Sequence, residues 1–187
     1  MTPDTAQPWV LVGYGLFAAK GPQGLKVEVL ARGVGKSKSS FYHHFADLEV
    51  FTELLLAHHL HRARLIAAQE ARCPRVVPDL LHVLLGAKPD LLFNRQLRIH
   101  RQVPAFRACF ERASTQVGAA VAGIWADMLG LADRSALAQA VLQLSLENFY
   151  LQITDETLTY DWLLRYVQDL CATVQALQNR PAAGVGR

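Results

Sequence analysis

The run Lys36-Ser37-Lys38-Ser39-Ser40 holds the residue types of this 187-residue chain best suited to short-range polar chemistry. Ammonium and hydroxyl groups follow one another there, with no large apolar side chain between them. Such a surface can come close to a polyanion, donate charge-assisted hydrogen bonds to phosphate oxygens and reach the edges of bases. Phe41-Tyr42-His43-His44-Phe45 follows directly. Phe41 and Phe45 are four apart and read as core anchors. Tyr42, His43 and His44 either reach phosphates or pack the small domain. Lys26, a turn upstream, belongs to the same basic set.

Covalent chemistry is not indicated. GxSxG, Walker A and HExxH patterns are absent. Gly33-Val34-Gly35-Lys36-Ser37 is superficially similar to a phosphate loop, but Leu30 stands where its first glycine is required and no strand precedes it. No enzyme activity, cofactor or metal site is expected. His58, His59 and His61 lack a cysteine or carboxylate at ligand spacing, so they read as solvated or packing histidines.

The elements that must position the polar run are helical. Leu25 to Arg32 reads as a short helix and Gly33-Val34-Gly35 as a turn. Ser37 reads as the N-cap of a helix from Lys38 to Phe45. Two short helices joined by such a turn form a helix-turn-helix unit, whose second helix enters the DNA major groove by its N-terminal end. The charge distribution agrees. Lys20 to Phe45 holds five basic residues and one acid, Glu28, whereas Arg and Lys balance Asp and Glu from Ala46 onward. A net charge of +3 concentrated in the first quarter is the footprint of a nucleic-acid binder. A solvated surface with a chance excess of lysine gives the same pattern.

Helical spacing continues throughout, predicting an all-α chain of about nine helices. The first runs from Trp9 to Lys20, before the break at Gly21-Pro22-Gln23-Gly24. Asp47 caps a long helix reaching Arg72, with Phe51, Leu55, His58, Arg62 and Leu65 along one side. Proline punctuation then sets helices at Asp79–Ala87, 89–101 and 104–129, and two more follow at Arg134–Gln152 and Tyr160–Gln178. The expected organisation is a helix-turn-helix domain over 1–47, a helical ligand-binding and dimerisation domain over 48–180 and a flexible tail over 181–187.

Hydrophobic residues make up 51% of the chain and mean hydropathy is +0.14, so some apolar surface is expected to be spent on a subunit interface. Leu137, Val141 and Leu144 form a stripe on the penultimate helix, which also carries Phe149. Leu163, Val167, Leu170, Val174 and Leu177 have coiled-coil spacing on the last. These residues are assigned to a homodimer interface, with ordinary packing inside one subunit as the alternative. Phe93, Asn94, Arg98, His100, Phe106, Phe110 and Trp125 are candidates for a pocket with apolar walls and a few polar groups. Arg95, Arg98, Arg101 and Arg107 would suit an anionic ligand or a solvated face equally. Cys73, Cys109 and Cys171 read as free thiols, Cys109 being either a redox sensor or an inert buried thiol. With no signal-peptide pattern and no spanning apolar run, a cytoplasmic protein without membrane attachment is expected.

From Trp9 to about Leu56 the chain resembles the tetracycline-repressor (TetR) family of bacterial regulators. The resemblance rests on Phe17-Ala18 with Gly21, Leu25 with Val27, Leu30-Ala31, Gly35, Ser37 and Phe41-Tyr42-His43-His44-Phe45 followed by Asp47-Leu48-Glu49. It implies a dimer bound to palindromic double-stranded operator DNA and released by a small-molecule effector, here unidentified. Tyr42 and His44 would meet phosphates, and Lys38 to Ser40 bases or backbone. Two-fold symmetry would place half-sites roughly 34–36 Å apart or at a multiple of that. This chain departs from the family in having Lys36 after the turn glycine, Leu48 where a lysine is usual and no basic residue before Trp9. Those departures leave an alternative, an all-helical adaptor of the same fold that does not bind DNA.

Overall fold

The computed structural model describes residues 4–179, and among these no strand occurs. The α-helices are α1 (Gln7–Lys20), α2 (Val27–Val34), α3 (Lys38–His44), α4 (Leu48–Glu70), α5 (Leu81–Gly86), α6 (Lys88–Ile99), α7 (Pro104–Met128), α8 (Ser135–Gln152) and α9 (Tyr160–Gln178). The tail expected over 181–187 lies outside the described residues.

Local chemistry explains most boundaries. Pro8 lies in the first turn of α1, where a missing N–H costs nothing. Gly21 ends α1 at φ 67°, with its N–H on the Phe17 carbonyl. Asp47 accepts from Val50 N–H at 2.9 Å to start α4, and Thr159 caps α9 by accepting from Trp162 N–H. Two boundaries differ from expectation. Leu25 is extended and Lys26 occupies the N-cap position, so α2 starts at Val27. The helix expected over Asp79–Ala87 is split. A wide turn over Val76–Leu80 contains extended Val77 and runs into a short α5.

One continuous hydrophobic core runs through the boundary expected at 47/48. α1 packs on α6 as well as on α2 and α4, while α4 lies along α7 and α7 along α8. The Phe17 ring stacks on Phe93 at 4.2 Å and meets Phe106 edge-on at 5.5 Å. The buried face of α4 runs through Phe51, Leu55, His59, Ala63, Ile66 and Glu70. His59, not His58, therefore lies on the inward line, and Leu65 is exposed. Since α4 packs chiefly on α7 and also meets α1, α5 and α6, the core-facing stripe follows several neighbours rather than a single file of the helix.

Phe51 joins the small helices to α4. Its ring meets Phe41 at 5.5 Å and Phe45 at 4.8 Å. A Cβ on Gly13 of α1 would lie 2.5 Å from Phe51 Cζ, so the ring occupies space that only glycine leaves open. Gly13→Ala is expected to cost about 1–3 kcal/mol in urea denaturation, because Phe51 is fully buried and has no free direction to move. A neutral result would show that the Phe51 cluster is loosely packed.

Candidate functional site

The helix-turn-helix unit is built by a C-cap followed by an N-cap. Gly35 adopts φ 69° and ψ 34°, and its N–H reaches the Arg32 carbonyl. The Lys36 N–H bonds the Ala31 carbonyl at 2.9 Å, completing a Schellman closure of α2. Ser37 Oγ then accepts from Ser40 N–H at 3.2 Å and starts α3. Phe41 and Phe45 are buried, with Trp9 edge-on to each. The opposite side of α3 is left to solvent. Lys36, Ser37, Lys38, Ser39, Tyr42, His43 and His44 are exposed, as is Lys26, and Ser40 is half-buried. Tyr42 keeps 57% of its surface.

This surface is positive but partly self-compensated. Lys38 Nζ lies 2.8 Å from Glu28 Oε1, and both side chains are more than half exposed. Their hydrogen bond holds the Glu28 carboxyl below the usual carboxylate range and raises the Lys38 ammonium. A polyanion approaching α3 must compete with Glu28 for Lys38. Leu48, where the resemblance expects a lysine, is half-buried at the start of α4.

The two helices assigned to a dimer interface present different faces. On α8, Leu137, Leu144 and Leu151 are exposed at spacing of seven, Leu144 by 71%, with Val141 half-buried beside them. On α9 the seam turns inward. Leu163, Val167 and Val174 are buried within the subunit, Leu170 is half-buried, and Leu177 alone is open, at 64%. Phe149 is likewise inward, against Tyr150, Trp162 and Tyr166. Heptad spacing on α9 thus serves intramolecular packing. Leu163, Val167, Val174 and Phe149, assigned to the interface from their positions, are buried within the subunit.

The residues expected to form one pocket are dispersed. Phe93 and Phe106 are core, with Phe93 stacked between Tyr14, Phe17 and His59. Arg98 is ion-paired with Glu147. His100 is half-buried where α6 ends, beside Gly21. Phe110 joins Arg98, Arg101 and Arg107 around an open groove of about 940 Å³ between α6, α7 and α8. Asn94 belongs to a buried polar chain, and Trp125 lines a second cavity.

That polar chain crosses the molecule. Tyr14 of α1 donates to Asp90 Oδ1 at 2.8 Å and lies 2.7 Å from His59 Nδ1. Arg62 holds Asp90 through two hydrogen bonds, at 3.0 and 2.9 Å. His59 Nε2 is 3.3 Å from Asn94 Oδ1, and Asn94 Nδ2 donates to Tyr150 Oη at 2.7 Å. Burial lowers the His59 pKa to about 4, so the ring is neutral and has one proton for two nitrogens. The tautomer decides which ring nitrogen carries that proton, Nδ1 facing Tyr14 and Nε2 facing Asn94. Cys109 stays outside this chain. Burial pushes its thiol up to about 12, so the inert reading fits and the redox reading does not.

The second cavity, of about 70 Å³, opens where α4 ends. Leucines and valines from the wide turn and α5–α9 line it, together with Trp125, Ser145, Tyr150 and Tyr166. Glu70, the last residue of α4, also lines it with only 1% of its surface exposed. Neither Glu70 Oε2 nor Trp125 Nε1 has a hydrogen-bond partner among the described residues. Burial alone raises the Glu70 pKa to about 7. Nothing in the sequence marks Glu70, which looks like any solvated residue at a helix end. Tyr14, Asp90 and Tyr150 were equally invisible as a set, since the bonds that join Tyr14 to His59 and Asp90, and Asn94 to Tyr150, span 45–76 residues and carry no local pattern.

No protein-family model matches this sequence. No curated protein matches it either. Among solved structures, the chain superposes on a Mesorhizobium loti protein described as a TetR-family transcriptional regulator. The TM-score is 0.56, over 92% of this chain and 96% of that one, at 16% identity. The all-helical arrangement is thus the TetR-type fold, and the likeness is one of fold. No described helix is long and apolar enough to cross a membrane.

The two shifted buried groups predict opposing pH dependences. His59 stabilises the fold fully above 6.5, and that contribution is lost as pH falls toward about 4. Glu70 behaves oppositely. Its contribution is full below 4.5 and is lost as pH rises through about 7. Glu70→Gln removes only the second. Its stability relative to the parent is expected to grow by about 3 kcal/mol from acid to neutral and higher pH, measured by urea denaturation across that range. A constant difference would mean that the Glu70 carboxyl is solvated.

Proposed function

We propose that this chain is a DNA-binding transcription regulator of the TetR type, acting as a homodimer and released from a palindromic operator by a small molecule held in the cavity at the end of α4. The observation that carries the reading is the open polar front of α3, mounted on a buried aromatic base. A helix that is core on one side and small, hydroxylated and cationic at its N-terminal end is shaped for a major groove. Tyr42 and His44 stand beside it at the height of the phosphates, and Lys26, Lys36, His43 and Ser37 to Ser40 complete the contact set.

The exposed leucines of α8, with Leu177, supply an apolar strip consistent with pairing to a second copy. Two-fold pairing would set the spacing of two α3 helices and hence of the half-sites. α4 spans roughly 33 Å at the helical rise, with Phe51 under the reading unit at one end and Glu70 at the other. A ligand at Glu70 would act by binding one disposition of α4 more tightly than another. Nothing in this scheme requires catalysis.

The adaptor reading has one specific observation in its favour: the Glu28–Lys38 pair and the apolar Leu48 both reduce the charge offered to phosphates. The two readings part in a gel shift with DNA from upstream of the chain's own coding sequence. The regulator retains DNA selectively and in a salt-sensitive manner, and the adaptor retains none at low salt.

Tyr42→Ala is expected to weaken retention at least tenfold, about 1.4 kcal/mol, while moving the melting temperature by no more than about 2 °C. Equal loss of both would make Tyr42 a packing residue. Leu144→Glu is expected to give a folded monomer by light scattering, with DNA affinity lost along with pairing. A Leu144→Glu dimer would place the subunit interface elsewhere.

A further inference from the structure

We propose that the cavity at the end of α4 takes a small, mainly apolar ammonium compound, with Glu70 as its counter-ion and the aromatic faces of Trp125 and Tyr150 among its walls. This deepens the reading of that cavity as the effector site and rests on it.

The argument begins with an unpartnered group. The Glu70 carboxyl is removed from solvent, and its Oε2 meets no donor among the described residues. Buried carboxylates are ordinarily paired or hydrogen-bonded, because an isolated charge in an apolar setting is costly. Here the only influence on the group is burial itself, which favours its neutral form. Glu70 also ends α4, where the helix dipole is negative. The site therefore joins a carboxyl to a negative helix end, and among the described residues no cationic side chain is paired with it. An entering anion meets repulsion from both. An alcohol offers one hydrogen bond and leaves any charge on Glu70 uncompensated. An ammonium group supplies the missing charge, donates to Oε2 and gains from adjacent π-faces.

The remaining lining limits the rest of the ligand. Leu80, Leu81 and Val121 offer only apolar contact. Trp125 Nε1 is a donor without an acceptor, so one ether or hydroxyl oxygen on the ligand would be accommodated. The volume of about 70 Å³ is roughly half that of an engineered cavity that accepts benzene, which suits about three to five heavy atoms.

The test is calorimetric titration of the full chain, without DNA, by three compounds of matched size: n-butylammonium, n-butanol and butyrate. Titrations are made at a pH where Glu70 is ionised, and repeated on Glu70→Gln. The expected result is n-butylammonium binding at least about tenfold more tightly than n-butanol, with no butyrate binding. In Glu70→Gln, n-butylammonium should fall to the n-butanol level while n-butanol binding persists, showing the cavity intact. Equal affinities for all three, absence of any binding, or n-butylammonium affinity unaffected by Glu70→Gln would overturn the proposal. Since no DNA is present, failure here leaves the DNA-reading proposal standing. Ammonium binding by a chain that retains no DNA would sink that proposal and not this one.

Discussion

The place of α3 depends on one buried ring. Phe51, at the start of α4, fills the gap left by Gly13 and carries Phe41 and Phe45 on its other faces. Trp9 closes the cluster from α1. Four aromatic side chains thereby fix a seven-residue helix that could not hold its shape alone. Phe41 and the capping Phe45 are spent on that base, and the opposite side carries polar side chains and the exposed Tyr42. The exposed surface of α3 is thus a consequence of core packing beneath it, and Phe51 is where α4 meets the buried side of α3.

α4 joins this base to the rest of the molecule in two ways. Along its length, the polar chain from Tyr14 through His59 and Asn94 to Tyr150 ties α1, α4, α6 and α8 together. At its far end, Glu70 enters the same cavity that Tyr150 lines. Polar networks in a low-dielectric interior are costly to leave half-satisfied, so they favour discrete arrangements over gradual ones. In the proposed scheme, a ligand that touches Tyr150 or Glu70 would bias which arrangement α4 and α1 adopt, and Phe51 of α4 packs against Gly13 of α1.

The legible part of this architecture was local. Gly21, Gly35, Ser37, Asp47 and Pro104 mark their boundaries through chemistry confined to a few residues, and the order of helices follows from them. The exposed front of α3 was also legible, because the hydroxyl and ammonium side chains of Lys36 to Ser40 precede two phenylalanines four apart that claim the buried side. What escaped was decided by distant contacts. The α9 leucine and valine seam has interface spacing, yet it is consumed inside the subunit, since periodicity shows a face and not its partner. Phe93 and Phe106 are core for the same reason. Glu70 was missed because burial of a carboxylate comes from the surrounding helices and leaves no trace in the sequence beside it.

The central claim, that α3 reads duplex DNA from a fixed base, is tested most directly by selecting bound duplexes from a randomised pool and titrating the winner with salt. The account predicts enrichment of a two-fold-symmetric sequence, with log affinity falling linearly against log salt concentration. A well-folded chain that enriches no sequence and retains no duplex even at the lowest salt would contradict it.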